Sequence, residues 1–280
     1  MRPLMTYASA LFVLDLAYVS FEQVDVLLIG VLLSAQDVGE FEAPMRLAVF
    51  LGFAGQAVAF AVAPRLAHRA DSGPNVRLLL PSIRYLLLLH GLLVVPLIVW
   101  AGPIVDLLLG PGYEDSASVL RGLAPFVYLV GVGTLVTLAV NYLGRARSRV
   151  PLAVTAVMVN LCIDLVLLPK IGVMGAVIGT DVAFTIYVVG HLWICRGMTG
   201  LAMAPVATSA GASVVAGTAM AGVLAAFGTT ELSLFGWVAG GLLGASAYIA
   251  VLLLLGELRS GGLSPAARWL GRRVPAEPNV

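Results

Sequence analysis

Charge is scarce in this sequence. Only 11% of its 280 residues are Asp, Glu, Lys or Arg, where a soluble domain carries about 25%. That shortage excludes an ordinary soluble globular protein. Lysine is almost missing: Lys170 stands alone and follows a proline. No phosphate loop of the G-x-x-x-x-G-K-S/T type can form, so the chain is not itself an ATPase. The formal net charge of +1 leaves no basic footprint for nucleic acid. Cysteine is limited to Cys162 and Cys195, both in or beside apolar runs, so no disulfide framework is encoded. His90 and His191 have no second metal ligand at i+3 or i+4 and read as core or interfacial residues.

What fills the sequence instead is apolar: 60% hydrophobic residues and a mean hydropathy of +1.01. These residues come in runs near the length a helix needs to cross a hydrocarbon core, about 20 residues. Eight such segments can be read: Leu4–Leu33, Val38–Ala63, Ser82–Leu108, Ser116–Leu143, Arg149–Leu168, Gly172–Ile194, Pro205–Ala226 and Leu232–Leu255. They are too long for strands and lack strict alternation. The expected fold class is an all-α, polytopic membrane helical bundle of about eight transmembrane helices. The first segment is longer than a signal sequence and holds Asp15, Glu22 and Asp25.

The connecting loops alternate in charge. Arg2, the stretch from Arg65 to Arg84, the triplet Arg145, Arg147 and Arg149, Arg196, and the arginines after Glu257 share one side, 13 of the 16 basic residues. Asp37, Glu40, Glu114, Asp115, Lys170 and Glu231 mark the other. The positive-inside rule then makes both termini cytoplasmic. No loop is large enough for a soluble catalytic domain, which argues against an enzyme. The expected organisation is a six-helix lobe over residues 1–200, two additional transmembrane helices over 201–256, and a cytoplasmic tail over 257–280. In that tail Leu263, Trp269 and Leu270 could touch headgroups, though a disordered end fits its Gly, Pro and Arg content better.

Polar residues at membrane depth are costly and are functional candidates by default. Helical rise places Asp25 about 12 Å below the outer end of its helix, Asn160 about 13 Å, Asp164 about 7 Å, Ala176 about 6 Å and Thr180 about 12 Å. Asn160 and Asp164 are i,i+4 and share a face. The link Pro169–Gly172 makes the fifth and sixth spans an antiparallel pair, and Gly175 and Gly179 allow close approach. Two carboxylates, an amide and a hydroxyl at one level form an all-oxygen cage suited to sodium or to a shared proton. The competing reading is that these groups only hydrogen-bond across helices as packing glue. Arg46, about 12 Å deep, could hold an anionic substrate group through its planar fork or simply pair with Glu42. Arg121, about 7 Å deep, could join it or snorkel outward. Glu22, Asp15 and Asp181 could line a polar cavity, while Gly236, Gly240 and Gly244 signal helix packing.

Several stretches together resemble the polysaccharide flippases of the MATE-like (multidrug/oligosaccharidyl-lipid/polysaccharide) exporter superfamily. They are Val24-Asp25-Val26-Leu27-Leu28-Ile29-Gly30 with Val38–Leu47, Ala63-Pro64-Arg65-Leu66, Leu109-Gly110-Pro111-Gly112-Tyr113, and the series from Leu143-Gly144-Arg145 to Gly179-Thr180. Their order is similar to that family's second lobe plus two extra helices; no counterpart of the first lobe is read in these residues. Glu42 and Pro44 depart from the family's pattern. The resemblance implies a sodium site at Asp25, Asn160, Asp164, the Ala176 carbonyl and Thr180, with sodium or a proton as coupling ion and no other cofactor. It implies a multi-pass protein of the cytoplasmic membrane that moves a polyprenyl-diphosphate-linked glycan, its head attracted by Arg46 and Arg121. Its partners would be that glycan, membrane lipids, and a missing six-helix lobe or a second copy. A drug or metabolite antiporter and a non-transporting subunit or truncated remnant remain the alternatives.

Overall fold

A computed structural model describes residues 2–66, 69–70, 73–74 and 76–258, with the side chains of residues 2–11, 15, 22, 69–70, 73–74 and 76 outside the description. The chain is a multi-pass membrane protein built as a helical bundle. Its first helix, α1, spans Arg2–Leu32. A two-residue turn leads to α2, Ala35–Leu66. Ser34 starts it: its hydroxyl accepts from the Asp37 amide at 3.3 Å and donates to the Asp37 carboxylate at 2.5 Å, satisfying first-turn donors that have no intrahelical partner. The long loop that follows holds an antiparallel ribbon of Arg69–Ala70 with Gly73–Pro74.

The third and fourth apolar runs, expected as single spans, are each broken. The third becomes α3, Leu79–Val99, and α4, Ala101–Leu108. Trp100 sits at the break with φ −106° and ψ 25°, and Pro103 removes the amide that would have bonded the Val99 carbonyl. The fourth becomes α5, Ser116–Gly122, and α6, Ala124–Tyr142, with Pro125 opening the second piece. The remaining helices are α7, Val150–Ile171; α8, Met174–Thr199; α9, Met203–Ala226; and α10, Leu234–Leu254. Seven helices are long and apolar enough to cross a membrane within the described residues; α1 adds two shorter apolar stretches on either side of Glu22.

α6 is the centre of the bundle, packed against α2, α3 and α8. Two glycines and a histidine set its approach to α2: a Cβ at Gly55 would collide with the Gly131 backbone, and either glycine's would strike the His90 ring. His90 is fully buried in this slot, its Nδ1 bonded to the Leu86 carbonyl at 3.0 Å. Helix association in lipid depends on such close, small-residue contacts. α1 lies along α7, and α7 along α8.

The last two helices dock on α3 through three polar pins. At one end Trp100 Nε1 donates to the Gly228 carbonyl at 3.0 Å, and the ring packs edge-on against Trp237. At mid-height the Tyr248 hydroxyl donates to the Leu88 carbonyl at 2.8 Å and the Ser213 hydroxyl to the Leu87 carbonyl at 3.2 Å. At the far end Arg84 donates to Glu257 at 2.9 Å and to Ser209 at 2.8 Å. The Gly240 and Gly244 positions face Trp100, Phe227, Leu224 and Met220, the packing role expected of them.

Candidate functional site

Asp25 of α1, Asn160 and Asp164 of α7 and Thr180 of α8 meet in one cluster, none more than 3% exposed. Asn160 is its hub. The amide nitrogen donates to Asp25 Oδ1 and to Asp164 Oδ2, each at 2.9 Å. Thr180 Oγ1 donates to Asp25 Oδ2 at 2.5 Å. One amide nitrogen thus bridges the two carboxyl groups.

These bonds fix the orientation of the amide, because a flipped Asn160 would point its oxygen at two acceptors. Its Oδ1 is thereby turned away, and like Asp164 Oδ1 it is buried with no hydrogen-bond partner among the described residues. An orphaned buried acceptor costs about 1–3 kcal/mol. With Asp25, the Asp164 carboxylate and the orphaned amide oxygen leave a site rich in oxygen acceptors and short of donors or cations. That imbalance is what a monovalent cation or an added proton corrects.

Local sequence explains the assembly. Residues i and i+4 on α7 bring Asn160 and Asp164 to one face. The turn at Gly172, with φ 63°, sends α8 back along α7. On α8 a Cβ at Gly179 would fall on Asp164 Oδ1 and lie 2.9 Å from Asn160 Nδ2, so only glycine lets α8 close over the pair. Ala176 is buried one turn before Thr180; helix geometry commits its carbonyl to the Thr180 amide, with a second lone pair still open.

The other candidates lie elsewhere. Arg46 is on an exposed face of α2, bonded to Glu42 at 2.6 Å, with 76% of its side chain accessible. Arg121 is exposed and donates to the Ile98 carbonyl at 3.0 Å, near the α3 break. Asp181 is engaged locally: its carboxylate accepts from the Phe126 amide at 3.0 Å and so caps the start of α6. Asp15 and Glu22 fall outside the described side chains, as do Leu263, Trp269 and Leu270. His191 accepts from a buried Arg149. In the sequence Arg149 reads only as a loop charge, and its burial has no signal in the linear pattern.

The lipid II flippase MurJ, in an inward closed conformation, superposes on this chain with a TM-score of 0.73 at 14% identity, covering 89% of this chain and 52% of its own. The chain has the fold of about half of that protein. The probable low-salt glycan biosynthesis flippase Agl15 of Haloferax volcanii is 23% identical over 239 residues, 81% of this chain and 48% of that protein. The chain thus spans about half the length of each relative. No family model matches it. Both proteins are named as flippases, and the structural likeness extends over 89% of this chain.

Proposed function

We propose that this chain is one lobe of a flippase for a lipid-linked glycan, its motion coupled to a monovalent cation bound by Asp25, Asn160, Asp164 and Thr180. The observation that carries the reading is the pair of orphaned oxygens in a three-helix cluster of a chain with the fold of about half a flippase. Asp25, Asp164, Asn160 Oδ1 and the Thr180 hydroxyl would hold the ion, with the Ala176 carbonyl as a fifth oxygen. A sodium ion there supplies the positive charge that lets two carboxylates share a site in oil. Because the ligands come from α1, α7 and α8, occupancy favours the arrangement in which those helices stay together, as differential binding requires.

The rest of the reading follows from length. Two lobes related by an axis along the membrane normal would each begin and end on the same side, and the loop charges put both termini in the cytoplasm. The lobe partner faces α2: Glu42, Arg46, Val49, Phe50, Phe53, Ala57 and Phe60 fall on one exposed stripe of that helix. Arg46 is the charge on that stripe suited to a diphosphate, since an exposed pair with Glu42 is worth little and easily exchanged. Arg121 would meet the head near the outer end. The glycan's polyprenyl tail would lie against α9 and α10, which keep large apolar side chains outward, Leu242 at 67% and Leu254 at 86% exposure among them.

The test is a melting experiment on the purified chain in detergent. Sodium chloride raises the unfolding midpoint above that in choline chloride, and Asp164→Ala abolishes the difference. A sodium response that survives in Asp164→Ala removes the ion from this site. Translocation of a fluorescent lipid-linked glycan into proteoliposomes, with the chain reconstituted beside a six-helix lobe, then tests the cargo.

A further inference from the structure

Where α6 gives way to α7, arginine is concentrated, and no carboxylate among the described side chains pairs with it. Arg145 and Arg147 are exposed on the intervening turn, Arg149 is 7% exposed at its end, and Arg196 lies in the last turn of α8. Neither the Arg46–Glu42 pair nor the Arg84–Glu257 pair involves any of them.

Arg149 is the unusual member. Its Nε donates to His191 Nε2 at 3.1 Å, its Nη1 to Asn141 Oδ1 at 2.6 Å and its Nη2 to the Tyr187 hydroxyl at 3.0 Å. His191 Nδ1 bonds the Tyr187 carbonyl at 2.8 Å, so that nitrogen carries the proton and Nε2 is left as the acceptor. All three partners are neutral. They satisfy hydrogen bonds but not charge, and a guanidinium is ionised at any working pH. A buried cation held by dipoles alone gains free energy when an anion arrives, and two of its five N–H groups are not used by these bonds.

The surroundings say which anion. Trp193 is 59% exposed, with the Arg196 guanidinium carbon 5.1 Å above its ring centroid, and Tyr142 is 46% exposed. Exposed Trp and Tyr beside arginine mark the depth of lipid headgroups. Val189, one turn before Trp193 on α8, is 43% exposed and offers apolar surface beside them. We propose that this end of the bundle binds the phosphate of an anionic phospholipid: Arg145, Arg147 and Arg196 reach the headgroup, Arg149 supplies a fixed charge beneath it, and the acyl chain lies along α8. Basic pockets between transmembrane helices bind anionic headgroups by this chemistry. The proposal is independent of the cluster at Asp25 and Asp164.

Native mass spectrometry and melting of the full chain, titrated with phosphatidylglycerol, phosphatidylcholine or inorganic phosphate, test it. Phosphatidylglycerol is retained and raises the melting midpoint; the other two do neither. Arg147→Gln and Arg196→Gln, both at exposed positions, each weaken retention about fivefold and together about 25-fold. Arg149→Gln abolishes it, and if that variant fails to fold, the exposed pair carries the test. Equal retention of phosphatidylcholine, or unchanged retention in the double variant, overturns the proposal. Stabilisation by inorganic phosphate equal to that by lipid overturns the lipid assignment. Asp15→Asn leaves retention unchanged; a tenfold gain would show that Arg149 is already neutralised within the chain, which also overturns it.

Discussion

A single missing atom decides whether the cluster of Asp25, Asn160, Asp164 and Thr180 can exist. Gly179 has no Cβ, and the space it leaves holds Asp164 Oδ1. Gly179→Ala is therefore expected to cost about 1–3 kcal/mol through overpacking and to abolish sodium-dependent stabilisation. Comparing melting midpoints in sodium and choline salts checks both. Asn160→Leu is expected to be worse for the cluster than its volume suggests. It deletes the donor to both carboxylates, and the sodium response should disappear even in a variant that folds. The residues of this cluster were legible in the sequence because depth follows from helical rise, and i,i+4 spacing fixes a shared face. The hydrogen-bond roles were not legible. Which oxygen is left over depends on how one amide rotates between two helices, and no spacing encodes that. Asp181 shows the same limit: its polarity was visible, but its partner amide at Phe126 lies 55 residues away.

Among elements, the docking of α9 and α10 on α3 is the least expected feature. The sequence shows the glycine spacing of α10, and that spacing does pack where it should. It does not show Arg84 reaching Glu257, a residue expected to begin a loose tail, because the pair is separated by 173 positions. With side-chain exposures of 15% and 7%, removing one partner strands a charge. Glu257→Leu should cost about 3–5 kcal/mol, and Arg84→Met combined with Glu257→Leu should recover most of it. Unfolding of the single and double variants in detergent measures the difference. Apolar-run length found the helical segments but not the breaks at Trp100 and Leu123. Proline is tolerated by a hydropathy count and not by a helix's hydrogen-bond ladder, so Pro103 and Pro125 were visible as residues and missed as boundaries.

At the scale of the molecule, the proposed lobe partner is placed against the exposed stripe on α2. Cysteine introduced at Ala57 should form an intermolecular disulfide with a partner lobe or a second copy, while cysteine at Leu242 of α10, which faces lipid in this reading, should not. Cross-linking in native membranes followed by gel mobility separates the two positions; equal cross-linking at both would dissociate the α2 stripe from assembly. The Trp100–Trp237 contact, 5.2 Å between ring centroids, has a practical consequence. Half of the four tryptophans lie at the junction between the main bundle and its last two helices, so intrinsic emission should redden and quench differently the moment that junction opens. The protein carries its own optical gauge for whether α9 and α10 ride with the lobe or detach from it.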